Sequence, residues 1–85
     1  MIIVKTREFE KSRAHLPTKI RDLYLIQEER FTLNPRDQRL HIKKVIDLPG
    51  VFSFRITKRY RTFFYLQNVN TAVFFEIKHR KDIYR

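Results

Sequence analysis

The 85-residue sequence has no cysteine, a single glycine and three prolines. Without cysteine the chain forms neither disulfide bonds nor thiolate metal sites, and it suits a reducing compartment. The apolar run at residues 1–4 is broken at once by Lys5, so it is too short for a signal-peptide core or a membrane span. The single glycine leaves no glycine-rich phosphate loop. We therefore expect a cytoplasmic protein with no membrane segment.

Acidic residues are scarce relative to basic ones. Nineteen Lys and Arg stand against nine Asp and Glu, which gives a net charge of +10. The imbalance is greatest in residues 51–85, where eight cations face two acids. Such a charge indicates the kind of partner rather than the fold, and nucleic acid is the commonest partner of small, basic, aromatic-rich domains. A protein with a merely basic surface is the alternative.

The length predicts one domain over residues 1–85. Apolar residues recur with helical spacing in two segments on either side of Leu16 and Pro17, whereas later segments alternate or are apolar on both parities, as strands do. The predicted fold is a two-layer α+β domain of order β-α-α-β-β-β. In it the N-terminal strand and a helical hairpin pack on an antiparallel sheet of four to five strands. The predicted elements are a strand at 1–5, helices at 7–16 and 18–31, a weak edge strand within 36–45, and strands at 52–57, 60–66 and 72–77.

Several residues are predicted to define these elements. Thr6 is the expected N-cap of the first helix, and residues 34 and 35, Asn-Pro, should end the second. Both parities of residues 60–66 are large, which favours a central strand covered on both faces. Phe63, Tyr65 and Phe74 alternate with core-facing neighbours, so we expect some of them on the sheet face that the helices leave open.

Four runs resemble a known family: LHIKK at residues 40–44, FSFRI at 52–56, YRTFF at 60–64 and IKHRKDIY at 77–84. Together with the element order, they resemble the RelE/ParE toxin superfamily of toxin-antitoxin modules. The resemblance implies the α+β fold and, for the RelE branch, cleavage of messenger RNA in the ribosomal A site without a metal or other cofactor. It also implies inhibition by an antitoxin, which we expect to lay an acidic amphipathic segment on the open aromatic face. The ParE branch instead poisons DNA gyrase, and a non-catalytic RNA-binding relative is a third alternative.

Metal-free RNA cleavage uses the 2′-hydroxyl of the substrate, so the protein must accept its proton and stabilise charge on phosphorus and on the leaving oxygen. Arg61 is predicted to clamp the phosphate, with Arg55 beside it on the neighbouring strand. A structural arginine paired with Glu76 is the alternative for Arg61. His79 is the only histidine of the C-terminal run and a candidate acid or base.

The resemblance implies two further site residues, Arg80 as a stabiliser of the leaving oxygen and Tyr84 as a group that stacks on a base or orients the 2′-hydroxyl. Arg55 stands where RNA-cleaving relatives often have a lysine, and arginine is a weak base because it stays protonated. His79, Lys43 and His41 are therefore alternative bases, or the base is lacking. We expect no metal site, because the histidines and acids show no ligand spacing. The residues expected to contact RNA are Lys43, Lys44, Lys58, Arg59, Lys81 and His41.

Overall fold

The structure, a computed structural model, describes residues 1–83. Three helices pack against a five-stranded sheet, so the predicted α+β fold is confirmed. None of the helices described is long and apolar enough to cross a membrane. In chain order the elements are β1 (Ile2–Lys5), α1 (Arg7–Ala14), α2 (Thr18–Leu33), a 3-10 turn (Gln38–Leu40), β2 (Lys43–Lys44), β3 (Val51–Arg55), β4 (Tyr60–Asn68), β5 (Thr71–His79) and α3 (Arg80–Ile83).

The strands lie in the order β1-β5-β4-β3-β2, which places β4 at the centre, as its large side chains on both parities predict. Strands β2 to β5 pair antiparallel with their neighbours. The expectation of a purely antiparallel sheet is wrong for β1, which pairs parallel with β5 from Ile2 opposite Thr71 to Lys5 opposite Phe74. The sheet is mixed because the helical hairpin carries the chain across one face before it returns to the sheet.

The helical hairpin forms for the reasons that its sequence provides. The Thr6 hydroxyl accepts a hydrogen bond from the backbone N–H of Phe9 at 3.1 Å, so Thr6 is the predicted N-cap. Pro17 precedes α2, and Asn34 is its C-cap before Pro35. The start of α1 and the end of α2 therefore lie where the local sequence signals predict them, whereas α1 ends at Ala14, two residues before its predicted end.

The core between the two layers is largely aromatic. Tyr24 and Phe31 of α2 meet Phe54 of β3, with ring centroids 6.5 and 5.6 Å away, and all three side chains are fully buried. The Tyr24 hydroxyl donates to Glu28 at 2.9 Å, and Glu28 also forms an ion pair with Lys5. Burial, more than the nearby Glu28 carboxylate, raises the pKa of Tyr24, so the phenol stays protonated. The remaining rings of the core belong to Phe9, Phe64 and Phe74.

A β-bulge in β5 decides which side chains face the core. Phe63 lies opposite Glu76 while Phe64 lies opposite Phe74, so Phe75 is an extra residue. An extra residue reverses the alternation of the strand beyond it. Of the three aromatic residues considered for the open face, Phe74 is therefore not on it: its side chain is fully buried, and the ring of Phe75 lies beside Phe63 and Tyr65 instead.

Candidate nucleic-acid interface

Three cations lie side by side at one end of the open sheet face. Arg55 of β3 is opposite Arg61 of β4, which in turn is opposite Lys78 of β5. We call these three residues the cationic row. The expected pairing of Arg55 with Arg61 is confirmed, and Lys78 is an addition that the sequence did not single out. Like charges directly opposite one another destabilise a sheet, so the row favours an anionic ligand that neutralises it.

The guanidinium of Arg61 is held by hydrogen bonds within the protein. Its Nε donates to the Ser53 hydroxyl at 2.7 Å, and its Nη2 donates to the carbonyls of His41 at 2.6 Å and of Ser53 at 3.3 Å. Glu76, the alternative partner considered for Arg61, has its carboxylate 3.9 Å from the Lys78 ammonium. Arg61 therefore ties the segment before β2 to the sheet, in a fixed orientation on the open face.

A cleft of about 310 Å³ opens beside the cationic row. Lys43 pairs with Ser53 across β2 and β3, which places Lys43 on the same face as Arg61. The Lys78 ammonium lies 5.5 Å from the centre of the Phe63 ring, within the range of a cation–π contact. The residues that line this cleft are Lys43, Lys44, Val45, Ile46, Ser53, Arg61 and Phe63.

The segment that carries these lysines has its own local order. His41 adopts the left-handed conformation, with φ 48° and ψ 53°, directly after the 3-10 turn. Asp37 caps that turn by accepting from the Arg39 N–H, and the same carboxylate pairs with the Arg39 guanidinium at 2.8 Å. The hydrogen bonds from Arg39 lower the pKa of Asp37 to about 2. The segment thus has a fixed turn before Lys43, although His41 itself is exposed and borders a different cavity of about 300 Å³.

His79 does not join the cationic row. It lies opposite Tyr60, and the two rings meet edge to face with their centroids 4.9 Å apart. Since neighbouring residues on a strand point to opposite faces, Tyr60 and His79 face the helical layer while Arg61 and Lys78 face away from it. His79, a candidate acid or base, is therefore not aligned with Arg61, because the bulge at Phe75 puts Lys78 in that place.

The remaining predicted residues lie beyond the ends of the strands, in the turn between β3 and β4 and after β5. The backbone N–H of Arg80, the first residue of α3, donates to the carbonyl of Arg59 in the turn between β3 and β4. Lys58, Arg59, Arg80 and Lys81 are all exposed. Tyr84 lies outside the described residues, so its predicted role stays a prediction.

Gln27 is a positioning residue that the sequence analysis missed, because its position follows the spacing of the apolar residues of α2. Its side chain is 5% exposed, and its Nε2 donates to the carbonyls of Arg39 at 2.9 Å and Arg55 at 2.6 Å. Its Oε1 accepts from Arg30 at 2.9 Å. Gln27 therefore fixes both the 3-10 turn and the end of β3 that carries Arg55.

The other end of the open face is apolar. Val4, Val73 and Tyr65 lie in one row across β1, β5 and β4, with Phe75 packed beside Tyr65. Val4 and Tyr65 are 43% and 41% exposed, which is high for large apolar side chains that adjoin one another. The open face is thus divided into a cationic end and an apolar end. Among residues 1–83, no three histidine or acidic side chains come together as a metal site would need.

No protein-family model and no curated protein sequence matches the chain. Solved structures do match it. The RelB-RelE antitoxin-toxin complex from Methanococcus jannaschii contains a chain with 26% identity and a TM-score of 0.77, over 95% of this chain and 94% of that one. The YoeB/ParE toxin from Agrobacterium tumefaciens has 13% identity and a TM-score of 0.76, over 94% and 99% of the two chains.

The archaeal RelE-RelB complex from Pyrococcus horikoshii OT3 contains a chain with 13% identity and a TM-score of 0.74, over 93% of each chain. The likeness thus extends over nearly the whole length of every chain compared. The shared fold and the 26% identity to the Methanococcus jannaschii chain support the resemblance to the RelE-like toxin superfamily.

Proposed function

We propose that the chain is the toxin of a toxin-antitoxin pair and that it is a metal-independent endoribonuclease cutting messenger RNA on the ribosome. The observation that carries this proposal is the cationic row of Arg55, Arg61 and Lys78 beside a basic cleft on the open sheet face. A ribosomal target would place its action in the cytoplasm.

The cationic row would bind the scissile phosphate. Arg61 is held in place by Ser53 and His41, so its guanidinium is oriented before the substrate arrives. Preorganised donors of this kind stabilise charge that develops on the nonbridging oxygens, and loss of one such donor typically lowers kcat by about 10²–10³-fold. Arg55 and Lys78 would add positive charge on either side of the same phosphate.

Lys43 is the proton acceptor that the geometry favours. It shares the cleft and the sheet face with Arg61, whereas His79 lies on the other face. Arginine is a weak general base because it stays protonated, so Lys43 is preferred to Arg55 in this role. The 2′-oxygen would pass its proton to Lys43 and bond to phosphorus as the bond to the 5′-oxygen breaks. The products would be a 2′,3′-cyclic phosphate and a 5′-hydroxyl, whose oxygen takes a proton from water. As the family resemblance implies, Arg80 would stabilise the leaving oxygen, and Tyr84 would stack on a nucleobase or orient the 2′-hydroxyl.

The apolar end of the open face would bind an antitoxin. RelE chains of Methanococcus jannaschii and Pyrococcus horikoshii were solved in complex with RelB. The net charge of +10 favours an acidic partner segment, laid as a helix or added strand over Tyr65 and Phe75. We expect the protein encoded beside this chain to raise its melting temperature, and no such stabilisation would remove this part of the proposal.

A gyrase inhibitor is the second candidate, because the chain also resembles a protein named as a YoeB/ParE toxin. The two functions differ in what they damage. A gyrase poison would leave messenger RNA intact while DNA cleavage complexes accumulate.

The test is a primer-extension map of messenger RNA ends on translating ribosomes. We expect cuts within the A-site codon for the native chain and none for Arg61→Ala. Arg7→Ala, which removes an exposed arginine from α1, is the matched control and should cut normally. Intact messenger RNA at a toxic level of expression would overturn the proposal.

The C-terminal residues give a second test of the same site. Tyr84→Ala and deletion of residues 84 and 85 should both relieve toxicity. The described core extends only from Phe9 to Ile77, so the shortened chain should still fold and bind the antitoxin. A shortened chain that remains toxic would show that Tyr84 is not part of the site.

A further inference from the structure

A second cleft lies on the other side of the sheet, at the corner where the helical hairpin approaches the turn between β3 and β4. Its volume is about 610 Å³, roughly twice that of the cleft beside the cationic row. Apolar side chains form one part of its lining and cations another. The lining residues are Pro17, Lys19, Ile20, Leu23, Thr57, Lys58, Arg59, Tyr60 and His79.

The cations that line this cleft have no acidic partner among residues 1–83. Lys19, Lys58 and Arg59 are exposed, and none of their side chains takes part in an ion pair or hydrogen bond within residues 1–83. Three uncompensated positive charges around one concavity attract an anion. The hydrogen bond from the Arg80 N–H to the Arg59 carbonyl fixes the backbone at this rim.

Two flat rings meet in the same cleft. The ring centroids of Tyr60 and His79 lie 4.9 Å apart. The Nδ1 of His79 accepts a hydrogen bond from the backbone N–H of Lys81 at 3.2 Å. Because Nδ1 is the acceptor, the proton of the neutral imidazole is on Nε2. The cleft therefore offers an aromatic surface, aliphatic side chains from α2 and an imidazole N–H donor.

The cleft is continuous with the cationic row around the end of the sheet. Arg55 and Arg61 lie opposite each other on the two strands that the turn with Lys58 and Arg59 connects. Tyr60 is the neighbour of Arg61 in β4. Positive charge thus runs from the open face, over the turn, to Lys19 on the helical side. A strand of RNA leaving the row would meet phosphate-binding groups along this whole path.

We infer that this second cleft binds one nucleotide of the RNA strand beyond the cleaved step. The base lies against Tyr60 and the aliphatic side chains of Ile20 and Leu23, and the phosphate lies between Lys19 and Arg59. This inference rests on the proposed binding of RNA to the open face. An acidic peptide could also neutralise the rim, but the paired rings and the continuity with the cationic row favour a nucleotide.

The test measures how affinity depends on RNA length. The probes are a trinucleotide and a hexanucleotide whose 2′-hydroxyls are all methylated, so that neither can be cleaved. We expect the native chain to bind the hexanucleotide about tenfold more tightly than the trinucleotide, through one stacked base and one phosphate. NMR signals of the His79 imidazole and the Tyr60 ring should shift with the hexanucleotide alone.

Two variants locate the effect. Lys19→Ala, an exposed helix position where alanine is well tolerated, and Tyr60→Leu should each remove most of the tenfold gain while trinucleotide binding persists. Lys11→Ala, an exposed lysine on α1, is the control and should keep the gain. If Tyr60→Leu fails to fold, Lys19→Ala and the His79 signals still decide the question.

The outcomes separate this inference from the proposed function. Trinucleotide binding without a length gain, or a gain that survives in Lys19→Ala, overturns the inference and leaves the proposed function standing. A glutamate-rich peptide that shifts the His79 and Tyr60 signals when the hexanucleotide does not also overturns it. Failure of both oligonucleotides to bind the native chain contradicts the proposed function itself.

Discussion

Replacing Ser53 by alanine separates the structural role of Arg61 from the role in RNA binding that we propose for it. The Ser53 hydroxyl is buried, accepts from Arg61 Nε at 2.7 Å and carries no charge. Ser53→Ala therefore removes one anchor and keeps the charge of the cationic row. Arg61→Ala removes all three hydrogen bonds to Ser53 and His41 together with that charge.

The magnitudes follow from the surroundings of Arg61. A hydrogen bond to a charged group contributes about 1.5–3 kcal/mol when buried, but Arg61 is half-buried and water replaces part of each lost contact. We expect the free energy of unfolding to fall by about 1 kcal/mol in Ser53→Ala and by about 2 kcal/mol in Arg61→Ala. A double-mutant cycle should give a coupling of about 1 kcal/mol between the two residues.

The assay pairs urea denaturation, followed by circular dichroism, with binding of the uncleavable trinucleotide. Ser53→Ala should be less stable yet bind the trinucleotide within about threefold of the native chain, since the charge that attracts phosphate is unchanged. Arg61→Ala should lose both stability and binding. Unchanged stability of Ser53→Ala, or native affinity of Arg61→Ala, would refute the reasoning.

Three further predictions concern buried or capped groups. Gln27→Leu should lower the free energy of unfolding by about 2–4 kcal/mol in urea denaturation, because the carbonyls of Arg39 and Arg55 lose their buried donor. The control is Glu29→Leu at an exposed position of α2, and a smaller effect for Gln27→Leu than for this control would contradict the prediction. Thr62→Val should stabilise the protein by about 1 kcal/mol in the same assay, because the buried Thr62 hydroxyl has no hydrogen-bond partner in the described structure; destabilisation would indicate an unseen partner. Asp37, with its pKa lowered to about 2, contributes stability that is present above its ordinary pKa near 3.8 and is lost as the pH falls through about 2. NMR titration should show that pKa and its return towards 3.8 in Arg39→Ala, and an ordinary pKa in the native chain would contradict the Asp37 cap.

Much of the fold was predictable because its signals are local. Thr6, Pro17 and Asn34 mark the helix ends through backbone chemistry that acts within a few residues. The central position of β4 followed from large side chains on both of its faces. The pairing of Arg55 with Arg61 followed from two strands joined by a tight turn.

What the sequence could not provide depends on contacts distant along the chain. The parallel pairing of β1 with β5 is decided by which sheet edge remains after the hairpin has packed. The bulge at Phe75 has no distinct local signal, yet because of it Phe74 lies on the same face as His79 and on the opposite face from Lys78. Gln27 matched the apolar stripe of α2 by position, and the two carbonyls that require its amide become adjacent only in the folded chain.

The central claim is that the cationic row holds RNA phosphates, and the salt dependence of binding tests it most directly. The measurement is the slope of the logarithm of trinucleotide affinity against the logarithm of salt concentration, for the native chain and for Arg55→Ala, Arg61→Ala and Lys78→Ala. We predict that each variant reduces the magnitude of the slope, by at most about 0.7, the value for one single-strand phosphate contact, whereas Lys11→Ala leaves it unchanged. Slopes in the three variants equal to the native slope would contradict the assignment of the open face as the RNA-binding surface.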